Sequence, residues 1–232
     1  GEIVGLAGLM GAGRTELAMS IFGRSYGKYV SGTLIKDGHE VVLKDVQAAI
    51  DNGLAYVSED RKVLGLNLLD TIKRSIVSAK LSKIAPRGVL DAYAENDVAD
   101  DYRKRLRIKT PSVDVGVAKL SGGNQQKVVV GKWLARDSRV VIFDEPTRGI
   151  DVAAKVEIYN LMNQLKQQGI AVMFVSSEMP EVMGIADRIV VMCDGRITGE
   201  VMARETTQEE ILTLATRFEN KFAAQAAEEE EA

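Results

Sequence analysis

The segment Gly8-Leu-Met-Gly-Ala-Gly-Arg-Thr15 has the residue types and spacing of a phosphate cradle. An apolar run, Glu2 to Gly8, precedes it and a helical pattern, RTELAMSIFG, follows, so it lies where a strand gives way to a helix. Gly8, Gly11 and Gly13, with the small Ala12, let backbone N–H groups curl around phosphate oxygens, and a helix N-terminus adds the positive end of its dipole. Thr15 offers a hydroxyl to a phosphate-bound Mg²⁺. The position that ordinarily carries lysine holds Arg14, which keeps the charge in a larger, planar, forked group. Taken alone, the string also fits a glycine-rich turn that holds no ligand.

Two further segments carry chemistry. Val140 to Phe143 form an apolar strand that ends in Asp144 and Glu145. An aspartate at a strand end beside a phosphate loop can hold Mg²⁺, through water, and the next carboxylate can polarise an attacking water. The alternative is a solvated Asp-Glu turn. In LSGGNQQKV, Leu120 to Val128, Ser121 suits a helix N-cap, and Gly122 and Gly123 expose N–H groups at a helix start. A plain cap explains SGG but not the whole string. One nucleotide does not need two such helix starts from one chain, so the second serves a nucleotide held by another subunit or domain.

The elements that must position these groups alternate. Strand patterns at LAYVSED, RVVIFDE, IAVMFVSSE and RIVVMCDGRITGEV are interleaved with helical ones, which predicts an α/β fold around a mostly parallel sheet. GTLIKDGHEVVL reads as a hairpin about Asp37-Gly38. A helix is predicted from about Asn124 to Arg136, and another, amphipathic, over VAAKVEIYNLMNQLKQQ with Val156, Tyr159, Met162 and Leu165 on one face and Gly169 at its end. Residues 68 to 106 are helical in pattern, broken at Pro86-Arg87-Gly88. The expected organisation is one domain over 1–217. Its core comprises 1–66 and 121–217, an inserted helical lobe spans about 67–120, and 218–232 form a flexible acidic tail.

The 232 residues carry a net charge of −3, and Glu228 to Glu231 outweigh that imbalance. The body is therefore near neutral, with no field pointing to nucleic acid. One cysteine, Cys193, excludes a disulfide framework and suits a cytosolic protein. The one histidine, His39, belongs to the hairpin. No apolar run reaches the ~18 residues of a membrane span. Trp133, Cys193, Met173 and Met192 read as core filling.

Together the three segments resemble the nucleotide-binding domain of the ABC transporter family, a P-loop NTPase fold. GLMGAGRT stands at the Walker A position, VVIFDEPT at Walker B, LSGGNQQK at the signature and Gly149 to Asp151 at the D-loop. YVSEDRK falls at the Q-loop and VSSEMPEV at the switch segment. The resemblance implies ATP and Mg²⁺, with Gly8, Gly11, Ala12, Gly13, Arg14, Thr15 and Glu59 around one nucleotide. Thr15 and Asp144 would hold its metal, and Glu145 and Ser177 would act in catalysis. It also implies that the signature, with Ser121, Gly122, Gly123 and Gln125, acts on the partner's nucleotide, and that Asp151 is a further nucleotide-binding residue.

The chain departs from the pattern at three places: Arg14 replaces lysine, Glu59 the Q-loop glutamine and Ser177 the switch histidine. With GLMGAGRTEL, SEDRK and LSGGNQQKV, these departures resemble the second half of the tandem ATPases of bacterial monosaccharide importers. That implies an abrupt start at Gly1 within a longer polypeptide, an adenine-stacking aromatic upstream of it, and a degenerate site that binds ATP·Mg²⁺ but hydrolyses it poorly. The implied partners are the other nucleotide-binding half, membrane permease subunits and, indirectly, a periplasmic sugar-binding protein. The place is peripheral, at the cytoplasmic face of the inner membrane. Two other functions compete: a nucleotide-clamped dimerisation module without turnover, and a soluble ABC ATPase of nucleic-acid metabolism.

Overall fold

The computed structural model describes residues 1–27, 31–85 and 88–218. A six-stranded sheet runs in the order β4-β5-β6-β1-β7-β8. Its strands are β1 (Ile3–Gly8), β4 (Leu54–Val57), β5 (Val140–Asp144), β6 (Ala171–Val175), β7 (Arg188–Cys193) and β8 (Arg196–Met202). All neighbours are parallel except β7 and β8, which pair antiparallel. The mostly parallel α/β sheet expected from the alternating pattern is therefore present. β2 (Leu34–Lys36) and β3 (His39–Val41) form the separate hairpin about Asp37-Gly38. His39 is exposed there, with Nδ1 2.9 Å from the Asp37 carbonyl oxygen.

The sheet is buried on both faces, and the period of two along each strand sorts its side chains. Val141 and Phe143 of β5 join one apolar cluster and Ile142 the other. The first face packs against α6 (Gly122–Leu134), α7 (Val152–Gln167), α8 (Met179–Ile185) and α9 (Gln208–Ala215), the second against α1 (Arg14–Ile21) and α2 (Val46–Asp51). Short polar residues start most helices: Asp45, Asp91, Asp151 and Thr207 each accept a backbone N–H of the following turn.

Helices α3 (Ile72–Val77), α4 (Leu81–Ile84) and α5 (Ala92–Arg105) fill the predicted helical stretch. α3 and α5 share the core of α6, because Ile72, Ile76, Ala99 and Tyr102 pack with Val128 and Val129 in one cluster. Tyr102 Oη also donates to the Leu134 carbonyl at 2.8 Å. Of the break at Pro86-Arg87-Gly88, the first two residues lie outside the described residues, as does the tail beyond Phe218.

The signature helix begins at Gly122, directly after Ser121 as the cap reading required and two residues before the approximate Asn124 start of the apolar pattern. One expectation needs correction. On α7 the buried face is Ala154, Ile158, Leu161, Met162 and Leu165, while Val156 is exposed. Val156 stands two residues from Ile158, about 200° around the helix, so it points away. Among the described residues no helix is long and apolar enough to cross a membrane.

Candidate functional site

The carboxyl ends of β4, β5, β6 and β1 lie side by side along one edge of the sheet, where parallel α/β folds gather ligands. β1 delivers the glycine loop. A side chain at Gly8 would put its Cβ 2.5 Å from the Met192 carbonyl oxygen, so only glycine lets the loop pass. Gly13, at φ 89°, caps α1 in the left-handed region, and no side chain bonds the first N–H groups of that helix. The loop turns past Gly11 and Ala12 with open space before Gly11. It thus presents backbone donors and a bare helix start, which suits phosphate.

β5 brings Asp144 to the same place. Thr15 Oγ1 donates to Asp144 Oδ1 at 3.0 Å, and Tyr56 Oη, from β4, donates to Asp144 Oδ2 at 2.5 Å. Burial pushes the Asp144 carboxyl above its usual range, against the pull of both donors and of Arg14. Burial likewise drives the Tyr56 phenol far upward, so it stays a donor. The Tyr56 ring stacks on Phe22 at 5.4 Å, and Phe22 meets Trp133 edge-on at 5.9 Å.

Glu145 sits at φ 44°, a left-handed conformation that costs a non-glycine residue about 1–3 kcal/mol. It is held by Glu145 N–H to the Val175 carbonyl at 3.0 Å and by Arg148 N–H to the Glu145 carbonyl at 3.1 Å. The turn aims the carboxylate at Arg14, 3.8 Å away, and at Ser177, whose Oγ donates to it at 3.3 Å. Arg14 does not extend toward the mouth of the loop. It is 7% exposed, and Nη1 donates to the Ser176 carbonyl at 2.5 Å. Desolvation outweighs attraction on both sides of the pair: it lowers the Arg14 pKa and raises that of Glu145.

Arg14, Thr15, Asp144, Glu145 and Ser177 therefore converge on one centre. The loop Gly8 to Gly13 leads into that centre, whereas Ser121, Gly122, Gly123, Gln125, Asp151 and Glu59 make their contacts elsewhere. Ser121 caps α6 by position, but its Oγ accepts from Asn124 Nδ2 at 2.9 Å instead of holding a backbone N–H. Gly122 lies against Arg61 and Ile150, and Gly123 against Ala154 of α7. Gln125 is buried and donates to the Val117 carbonyl at 3.2 Å. Asp151 caps α7 by accepting from Ala154 N–H at 2.9 Å. Glu59 is ion-paired with Arg148.

Tyr56, Ser176 and Glu181 belong to the site's framework and carry no local sequence signal. Glu181 is buried and accepts from Thr147 Oγ1 at 2.7 Å, from Ser176 Oγ at 3.1 Å and from Lys155 Nζ at 2.8 Å. It ties the loop after β5, the end of β6 and the start of α7 into one unit.

A mostly parallel sheet with a glycine loop at the end of β1, a helix start beside it and an aspartate at the end of β5, two strands across, defines a nucleotide-binding α/β protein. The family model described as ABC transporter matches residues 1–148, and the chain belongs to that family. It is 54% identical over 217 residues to the L-arabinose transport ATP-binding protein AraG of Geobacillus stearothermophilus, covering 94% of this chain and 42% of that protein. It is 52% identical to the xylose import ATP-binding protein XylG of Geobacillus kaustophilus, covering 93% and 43%. With the ribose import ATP-binding protein RbsA of Bacillus subtilis it shares 49% identity, covering 93% and 43%. The chain spans about two fifths of the length of these curated relatives.

Its fold is similar to that of MJ1267, an ATP-binding cassette of an ABC transporter, with a TM-score of 0.70 at 19% identity, covering 93% of this chain and 84% of that one. It is also similar to that of cbiO1 from Clostridium perfringens, with a TM-score of 0.72 at 21% identity, covering 98% and 87%.

Proposed function

We propose that this chain is the second ATP-binding cassette of a tandem sugar-import ATPase. Its own nucleotide site holds ATP·Mg²⁺ with little turnover, and its Ser121–Gly123 segment completes the site of the partner cassette. The relatives named for arabinose, xylose and ribose transport support the sugar-import class.

The observation that carries the holding-site reading is the inward turn of Arg14. The backbone of Gly11 to Thr15 can cradle phosphate, and Thr15 with Asp144 fits a phosphate-bound Mg²⁺. Arg14, however, spends its guanidinium on Ser176 and Glu145. The phosphates lose the compact cation that lysine provides at this position. Glu145, the group placed to take a proton from water, has a guanidinium against it and a serine as neighbour. Ser177 can orient that carboxylate but cannot accept and return a proton near neutral pH as an imidazole does. When bound, Mg²⁺ offsets the charge that moves onto phosphate oxygens during hydrolysis.

Permease docking is supported by a cleft of about 600 Å³ between α2, the residues of α4 and α6. Ile50, Leu81, Trp133 and Arg136 line it. Attachment to permease subunits at the cytoplasmic face of the inner membrane follows from this reading. A nucleic-acid role finds no support in the near-neutral body of the chain.

The isolated chain should bind a fluorescent ATP analogue weakly in the presence of Mg²⁺ and release almost no phosphate in a single-turnover assay. Robust Mg²⁺-dependent turnover by the monomer would overturn the holding-site reading.

A further inference from the structure

Directly after β4 the chain makes a single π-helical turn, Arg61–Gly65, capped by Asp60, which accepts from Lys62 and Val63 N–H. Such turns are uncommon and often mark functional joints. Arg61, half-buried, reaches from it toward α6 and the turn after β5. Its Nε is 3.3 Å from Gln125 Oε1 and its Nη1 is 3.3 Å from the Arg148 carbonyl. The guanidinium stands beside the first turn of α6, where a Cβ on Gly122 would lie 2.7 Å from Nη2 and 3.2 Å from Ile150 Cγ2. Each of these contacts leads further. Gln125 also holds the Val117 carbonyl, Arg148 pairs with Glu59, and Arg148 N–H bonds the Glu145 carbonyl.

We propose that Arg61 is a positioning residue. It fixes the Ser121–Gly123 helix start against the 145–151 turn, so that the Glu59 segment, the Glu145 turn and the signature helix move as one body. The inference rests on the reading of Ser121–Gly123 as completing the partner's site. A forked, planar cation is required because one group must meet two acceptors on different elements. Gly122 is required because any side chain there displaces the fork.

The test is a double-mutant cycle in the full-length polypeptide reconstituted with its permease, read as steady-state ATP hydrolysis. Arg61→Ala should lower turnover about tenfold, the scale of losing hydrogen bonds from a charged group, with ATP affinity within about twofold. Gly122→Ala should cost a similar factor by displacing the guanidinium. The double variant should be no worse than the poorer single one. Arg61→Lys reaches only one acceptor and should recover little.

Multiplicative losses, or wild-type turnover in Arg61→Ala, would overturn the proposal. Ser121→Tyr is the control. If it leaves turnover intact, the partner-site reading fails, and Arg61 is then judged by hydrogen exchange alone. Arg61→Ala should speed amide exchange over residues 125–130 and leave the sheet strands unchanged, and unaltered exchange there would refute it. Should Arg61→Ala fail to fold, the same readouts apply to Arg61→Lys.

Discussion

Asp144 shows how a single carboxylate is oriented by the protein's own donors. Thr15 takes one oxygen and Tyr56 the other, so the group is oriented at both ends. Tyr56→Phe keeps the ring on Phe22 but removes the hydroxyl. It should raise the Mg²⁺ concentration needed for nucleotide binding by roughly three- to tenfold, the scale of one hydrogen bond to a charged group. Titrating Mg²⁺ into the chain with a fluorescent ATP analogue measures this, and an unchanged midpoint would contradict it. The residue types of the centre were legible because the Gly8–Thr15 loop and the Asp144-Glu145 pair are contiguous strings. Tyr56 was not, since its partner lies 88 residues away and no pattern in LAYVSED announces the bond. The direction of Arg14 was also hidden: sequence identifies a guanidinium, whereas the Ser176 carbonyl and Glu145 decide where it points.

Between elements, Glu181 is the joint. Burial pushes its pKa up, but hydrogen bonds from Lys155, Tyr159, Thr147 and Ser176 outweigh that and leave it below the ordinary 4.5. A depressed folded value means that the unfolded chain binds the proton first. The stabilisation is therefore complete above about 4.5 and lost as the pH falls through the folded value. Thermal melts across this acid range should show wild-type stability falling. Glu181→Gln should show a shallower fall, along with a loss of about 1–3 kcal/mol near neutral pH from a disrupted buried hub. Parallel pH slopes for the two proteins would refute this. At this scale the long elements were legible, since α7 and the apolar strands carry enough residues for a period to show. The short α2, α8 and α9 were not, because six to eight residues make too few turns to establish one. Val156 was misplaced because its spacing from Tyr159 fits a helical face as well as the true one does, and only the position of the sheet chooses between them.

At the scale of the whole molecule, two anion-ready helix starts sit in different surroundings. One, at α1, faces the Asp144 centre. The other, at α6, leaves Ser121 exposed with Arg61, Ile150 and Ala154 behind its glycines. This separation was legible in outline, because two cradles in one chain already asked for two nucleotides. The way Arg61 and Ala154 back the second one was not, as both contacts depend on packing. On the proposed function, the α6 start serves the working site and the α1 start a holding site. Gly123 is a poor probe, since any side chain there collides with Ala154 at 2.5 Å and disturbs α6 packing on α7. Ser121 is exposed and carries no such penalty. The most direct measurement is the steady-state ATPase of the reconstituted full-length importer for Ser121→Tyr, Arg14→Ala and Glu145→Gln side by side. Ser121→Tyr should lose on the order of 10²–10³ in rate, the cost of a misplaced transition-state donor, while the other two lose less than about tenfold. If Glu145→Gln or Arg14→Ala proves as damaging as Ser121→Tyr, the Arg14 centre is a working catalytic site and the account is wrong.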